Sequence, residues 1–182
     1  LVALLRPMQP DEARRLALLS WRRFHSVSGM LVALEMSSER RDFVQMGQLL
    51  EEVPADDRSA LQTTPYYFSL RAIYFQGVGK PALAMTELRK ALALAPASTD
   101  LRTALLWQLI DARELPGTKR ELGALLREWN SEASTTAAYW DAYAAAWQVL
   151  GEPRRSLPWL ARQASNRGSD YVWLTNYADV LD

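Results

Sequence analysis

The 182-residue chain balances 21 basic against 21 acidic residues, is 49% hydrophobic and 23% charged, and contains no cysteine. A neutral balance disfavours duplex binding, which needs a basic excess to neutralise phosphates, and the missing thiols exclude disulfides, thiolate metal sites and a cysteine nucleophile. Apolar surface is ample, so disorder is disfavoured, while the longest apolar runs, such as Met30 to Leu34, fall far short of the roughly 20 residues that span a bilayer.

Apolar residues recur at spacings of three and four, without strand-like alternation, so almost the whole chain reads as helix. Abundant Ala and Leu favour the same state. LVALLRPMQ reads as the tail of a helix stopped near Pro7. Pro10 and Asp11 open a long amphipathic stretch, with a break expected around Ser26 to Gly29. RRDFVQMGQLLEEV is a second helix ending before Pro54, and ADDRSALQT is a loop or a short helical turn. Thr64 and Pro65 form a start signal, a hydroxyl cap followed by proline at the first helical position.

TTPYYFSLRAIYFQGVGKPALAMTELRKALALAP then resolves into two helices joined by a tight turn at GVGK. Phe68, Ala72 and Phe75 mark one face of the first helix; Ala84, Leu88 and Ala91 mark one face of the second. Two antiparallel helices cross closely only where small residues let their backbones approach, with large residues filling the gaps above and below. Gly79 suits the turn, and Pro96 ends the second helix. The pattern returns in AAYWDAYAAAWQVLGEPRRSLPWL at Trp140, Ala144, Trp147, Gly151, Ser156 and Leu160. Another 34 residues on, Ala178 takes the place of Ala144 in YVWLTNYADVL. Between the two lies TDLRTALLWQLIDARELPGTKRELGALLREW, of two-helix length, with Leu106 in the small-residue slot and a Thr118-to-Glu121 capping box. Pro158 opposes a helix running through it, which predicts a kink or a later start with Ser156 as cap. The segment from Trp129 to Thr136 is longer than the pattern needs, so a bend is expected there.

These positions resemble the tetratricopeptide repeat, a 34-residue helix-turn-helix unit. The resemblance implies an all-α solenoid of stacked helix pairs forming a right-handed superhelix. Its expected parts are degenerate repeats over 1–63, a clear repeat at 64–97, a degenerate one at 98–133, a clear one at 134–168, and a first helix at 169–182. The pattern runs off both ends, so the chain reads as a segment of a longer protein. In that family the groove is lined by outward positions of first helices. Carried onto this sequence, these are Tyr66, Ser69, Ile73 and Gln76 in one repeat. Thr103, Trp107, Ile110 and Asp111 follow in the next, then Asp141, Ala145 and Gln148. The set is apolar and weakly acidic, without the Lys/Arg/Asn clamp with which chaperone-binding repeats grip a terminal carboxylate.

LRTALLWQLIDAREL and YVWLTNYADVL look more narrowly like the periplasmic repeat region of PelB-type bacterial exopolysaccharide-export proteins. That likeness implies a scaffold at the periplasmic face of the outer membrane, ahead of a β-barrel that lies outside these residues. Its expected partners are a polysaccharide deacetylase or hydrolase, with the polymer itself as a further contact. A cytoplasmic adaptor binding a peptide or protein is the alternative, and direct carbohydrate binding through exposed aromatics is a third.

Catalytic chemistry finds little footing. His25 is the single histidine and has no nominated partner, so no metal or cofactor is expected. Glu51 with Glu52, and Asp56 with Asp57, are adjacent, and neighbours on a helix point about 100° apart, which makes solvated helix ends rather than an acid/base dyad. Gly77 and Gly79 belong to a turn, and no nucleophile elbow is present. The chain is therefore expected not to be an enzyme. Trp140 and Trp147 are assigned to packing; Tyr66, Tyr67, Trp107 and Trp173 are less constrained and are the candidates for exposure.

Overall fold

A computed structural model describes residues 9–128, 137–164 and 167–181. All the regular structure among them is helical, and it falls into two compact units that divide between Ala97 and Ser98.

In the first unit, α1 (Pro10–Phe24) and α2 (Val27–Glu39) are separated by a two-residue break. His25 adopts a left-handed conformation and donates its backbone N–H to the Trp21 carbonyl, closing α1. The Ser26 hydroxyl accepts the Gly29 N–H and starts α2, which satisfies one of the orphan donors of a new helix. A Cβ on Gly29 would lie 2.8 Å from the Ala17 carbonyl oxygen and 2.9 Å from the Trp21 nitrogen. The two helices thus touch backbone to backbone. Ala17 and Gly29 stand twelve positions apart, and the same offset relates Ala72 to Ala84 and Ala144 to Ser156. All of these residues are buried. The segment before Phe43 therefore contains a regular small-on-small crossing, more orderly than its divergent sequence suggests.

α3 (Phe43–Glu51) begins at Asp42, whose carboxylate accepts the Gln45 N–H. ADDRSALQ, expected as loop or turn, forms the short helix α4 (Ala55–Gln62). α5 (Pro65–Gly77) and α6 (Pro81–Leu94) are the helix pair read from the sequence, and they pack along their length. Ala72, Ala84, Leu88 and Ala91 are buried between bulky neighbours. Pro65 opens α5 as predicted, but the Thr64 hydroxyl makes no cap and donates instead to the Ala60 carbonyl. Having α4 just ahead supplies that acceptor. The turn closes as a Schellman motif: Gly79, at φ +72°, donates to Gln76 and Lys80 donates to Phe75. A left-handed residue there satisfies two carbonyls at the helix end, and glycine adopts it without a Cβ penalty.

In the second unit, α7 (Thr99–Asp111) packs against both α8 (Thr118–Glu128) and α9 (Ala137–Val149). Leu106, in the small-residue slot, is fully buried opposite a buried Thr118. The expected capping box is displaced by one residue. The Gly117 carbonyl accepts the Glu121 N–H, so Gly117 holds the cap position and Thr118 is already helical. α9 ends with the same closure as α5: Gly151 donates to Gln148 and Glu152 to Trp147. Pro158 is accommodated as anticipated, by a late start. A 3₁₀ turn over Pro153–Ser156 precedes α10 (Leu157–Gln163), placing the proline in the first turn, where its missing N–H is harmless. The Ser156 hydroxyl does not cap that helix; it donates to the Pro153 carbonyl. Finally, Ala178 on α11 (Tyr171–Leu181) is exposed, although its counterpart Ala144 is buried. The predicted elements at LVALLRPM and at Trp129 to Thr136 lie outside the described residues.

Candidate functional site

The second unit carries an open cavity of about 350 Å³. Its walls come from four helices and one loop. Trp107 stands on α7; Asp141, Ala145 and Gln148 follow one face of α9; Trp159 and Trp173 close it from α10 and α11. Helical spacing explains the α9 contribution, since residues three or four apart share a face. The small side chains of Ala144 and Ala145 keep that face recessed, which is why a hollow exists there at all.

Arg167, in the loop before α11, organises the charged side. Its guanidinium donates to Asp141 Oδ1 at 2.5 Å and to Asp170 Oδ2 at 3.0 Å, and it lies 5.8 Å from the Trp173 ring centroid. The Asp170 carboxylate also accepts the Trp173 backbone N–H through Oδ1, capping α11. The hydrogen bond to Asp141 is the main influence holding the Arg167 guanidinium above its usual pKa. Burial opposes it, and the charges of Asp141 and Asp170 add to it. One guanidinium thus serves two carboxylates, and the lining keeps a formal charge of −1. Asp141 Oδ2 carries no hydrogen bond among the described residues. The Trp173 indole N–H is buried without an acceptor among the described residues.

Of the predicted groove residues, Trp107, Asp141, Ala145 and Gln148 come together in this cavity. Asp111 is exposed but lies outside it, and Thr103 is half-buried, with its hydroxyl donating to the Thr99 carbonyl. Ile110 does not face outward. It is 7% exposed, because α7 is covered on two sides, by α8 and α9. In the first unit Tyr66, Ile73 and Gln76 are exposed on α5, and Ser69 is half-buried, with its hydroxyl bonded to the Tyr66 carbonyl. None of these four lines the first unit's hollow of about 310 Å³, which Phe43, Val44, Tyr74 and Val78 border. Of the aromatics considered free of packing duty, Tyr66 and Trp107 are each 41% exposed, whereas Tyr67 and Trp173 are core residues.

Sequence periodicity did not reach Arg167 and Asp170, which sit in a loop, nor the bond from Arg167 to Asp141, which spans 26 residues. The one available signal was Asp170 immediately ahead of an apolar helical run, a helix-start cue. Among the described residues no cluster of three or more His, Asp or Glu is placed to hold a metal, and no helix is long and apolar enough to cross a membrane.

A family model described as Tetratricopeptide repeat matches residues 1–182, the full chain. The chain belongs to the tetratricopeptide repeat family, whose repeats generally mediate protein–protein interaction and typically act as non-catalytic scaffolds. No curated protein and no solved structure matches it.

Proposed function

We propose that this tetratricopeptide repeat chain is a docking scaffold at the periplasmic face of the outer membrane, part of an exopolysaccharide-export assembly. There it recruits polysaccharide-modifying enzymes, a deacetylase or hydrolase, and helps the polymer outward. One observation carries the reading. The two segments that resemble export proteins, LRTALLWQLID and YVWLTNYADVL, each contribute a tryptophan, Trp107 and Trp173, to the same cavity. A surface of stacked helices with recessed alanines and few reactive groups suits the gripping of an extended partner segment.

Affinity capture from the native cell envelope, with this chain as bait, tests the proposal. Mass spectrometry is expected to identify a polysaccharide deacetylase or hydrolase among the retained proteins. Recovery of cytosolic partners alone would favour an adaptor in the cytoplasm.

The exposed Trp107 favours one second reading, direct carbohydrate stacking. Calorimetry with an amino-sugar polymer then gives heat that vanishes in Trp107→Ala and Tyr66→Ala; no heat in the parent protein removes the idea.

A further inference from the structure

We infer that the cavity of the second unit receives a basic side chain, arginine ahead of lysine, from an extended segment of the protein partner. This rests on the scaffold reading above and adds the chemistry that would be recognised.

Three features of the cavity converge on such an occupant. The first is charge. Asp141 and Asp170 both bond to Arg167, and the lining, with two carboxylates to one guanidinium, is one positive charge short of neutrality. The second is a free acceptor: Asp141 spends Oδ1 on Arg167, while Oδ2 carries no bond among the described residues. The third is the shape of the apolar part. Trp107 presents a large exposed surface beside the small Ala145, and a cavity of about 350 Å³ accepts one long side chain rather than a folded element. Lys and Arg bury an apolar stem while keeping a charged head polar. A tryptophan face attracts that head, and the planar guanidinium stacks on it as well. Within the cavity Arg167 already lies over Trp173 between two carboxylates, so the site shows the arrangement a second guanidinium would repeat on Trp107 and Asp141. An acidic or wholly apolar occupant would desolvate Asp141 Oδ2 without supplying it a donor.

The test is a titration of the whole chain, followed by tryptophan-indole NMR signals, with the peptide acetyl-Ala-Ala-Arg-Ala-Ala-amide. Its citrulline counterpart, an uncharged near-isostere, is run in parallel. The arginine peptide is expected to shift the Trp107 signal and to bind about tenfold more tightly than the citrulline peptide, with binding weakened by salt. Trp107→Ala and Asp141→Asn each weaken it by roughly threefold to tenfold. Because Asp141 also holds Arg167, Gln148→Glu supplies an independent check. It adds a carboxylate at an exposed position on the rim and strengthens binding without removing any contact. Equal affinity for the two peptides overturns the inference, as does an unmoved Trp107 signal. A glucosamine oligomer that shifts Trp107 where the arginine peptide does not would overturn it too, in favour of a saccharide. An export enzyme captured equally by parent, Trp107→Ala and Asp141→Asn chains leaves the scaffold reading standing while removing this one.

Discussion

Arg71 and Glu87 fasten α5 to α6, with Nε 2.6 Å from Oε2 across the helix pair. The Glu87 carboxylate is 5% exposed and also accepts Lys90 Nζ at 2.7 Å. Arg71 packs over the rings of Tyr67 and Phe75 and reaches the Tyr67 hydroxyl. Burial works against its charge, but the bonds to Tyr67 and Glu87 outweigh that and hold its pKa above the usual value. Glu87→Ala would leave the half-buried guanidinium short of its carboxylate. Breaking a buried pair costs roughly 3–5 kcal/mol, and Arg71's partial access to solvent places the expected loss at the lower end. The double variant Arg71→Met/Glu87→Leu is expected to regain most of it. Urea unfolding of the two variants checks both statements.

The crossing of α1 and α2 predicts a contrast between two glycines. Gly29→Ala drives a methyl into the backbone of Ala17 and Trp21, a contact no rotamer relieves, and overpacking of that kind costs about 1–3 kcal/mol. At Gly79 nothing lies within 4 Å of an added Cβ. There Gly79→Ala meets only the penalty of a left-handed backbone, about 1–2 kcal/mol, and Gly79→Asn should be milder still. Gly29→Ala with a melting temperature equal to the parent's would remove the backbone-contact account of that crossing.

Ala84 and Ala144 occupy equivalent slots but different surroundings. Ala84 is fully buried at the α5–α6 crossing, while Ala144 borders the cavity. Ala84→Leu is expected to cost about 1–3 kcal/mol. Ala144→Leu has open space to enter and should lose less stability, while narrowing the cavity. Thermal melting of the two variants, run together, gives the comparison.

Tyr139 sets an alkaline limit. Burial, opposed by the charge of Arg102 and aided by Tyr143, pushes its hydroxyl up to about 12. The native state therefore prefers the neutral phenol. That contribution is complete below the ordinary tyrosine pKa of about 10 and is lost as pH rises from there to about 12. Two pKa units correspond to about 3 kcal/mol at most. Denaturation midpoints should fall across that window in the parent chain and fall less in Tyr139→Phe. A matched decline in both would assign the alkaline loss elsewhere.

The sequence made the helix pair α5–α6 legible because Ala72, Ala84, Gly79 and Pro96 report on local geometry that follows directly from spacing. Ala17 and Gly29 obey the same twelve-residue rule, yet the large residues around them differ, and the orderly crossing before Phe43 was read only as divergent. Ile110 and Trp173 were misread as outward candidates for another reason. A helical wheel shows which face is apolar, but not how many neighbours cover the helix. Of the candidate site, Trp107 on α7 and Asp141, Ala145 and Gln148 on α9 came from the resemblance to the repeat family, which names the outward positions of first helices. The Arg167–Asp141 and Arg71–Glu87 pairs did not, because charges joined across 26 and 16 positions leave no periodic trace.

Hydrogen–deuterium exchange of the chain, free and bound to an enzyme captured from the envelope, tests the central claim most directly. The account predicts new protection on α7 around Trp107 and on α9 from Asp141 to Gln148. Protection confined to other helices, with these two exchanging as in the free chain, would contradict it.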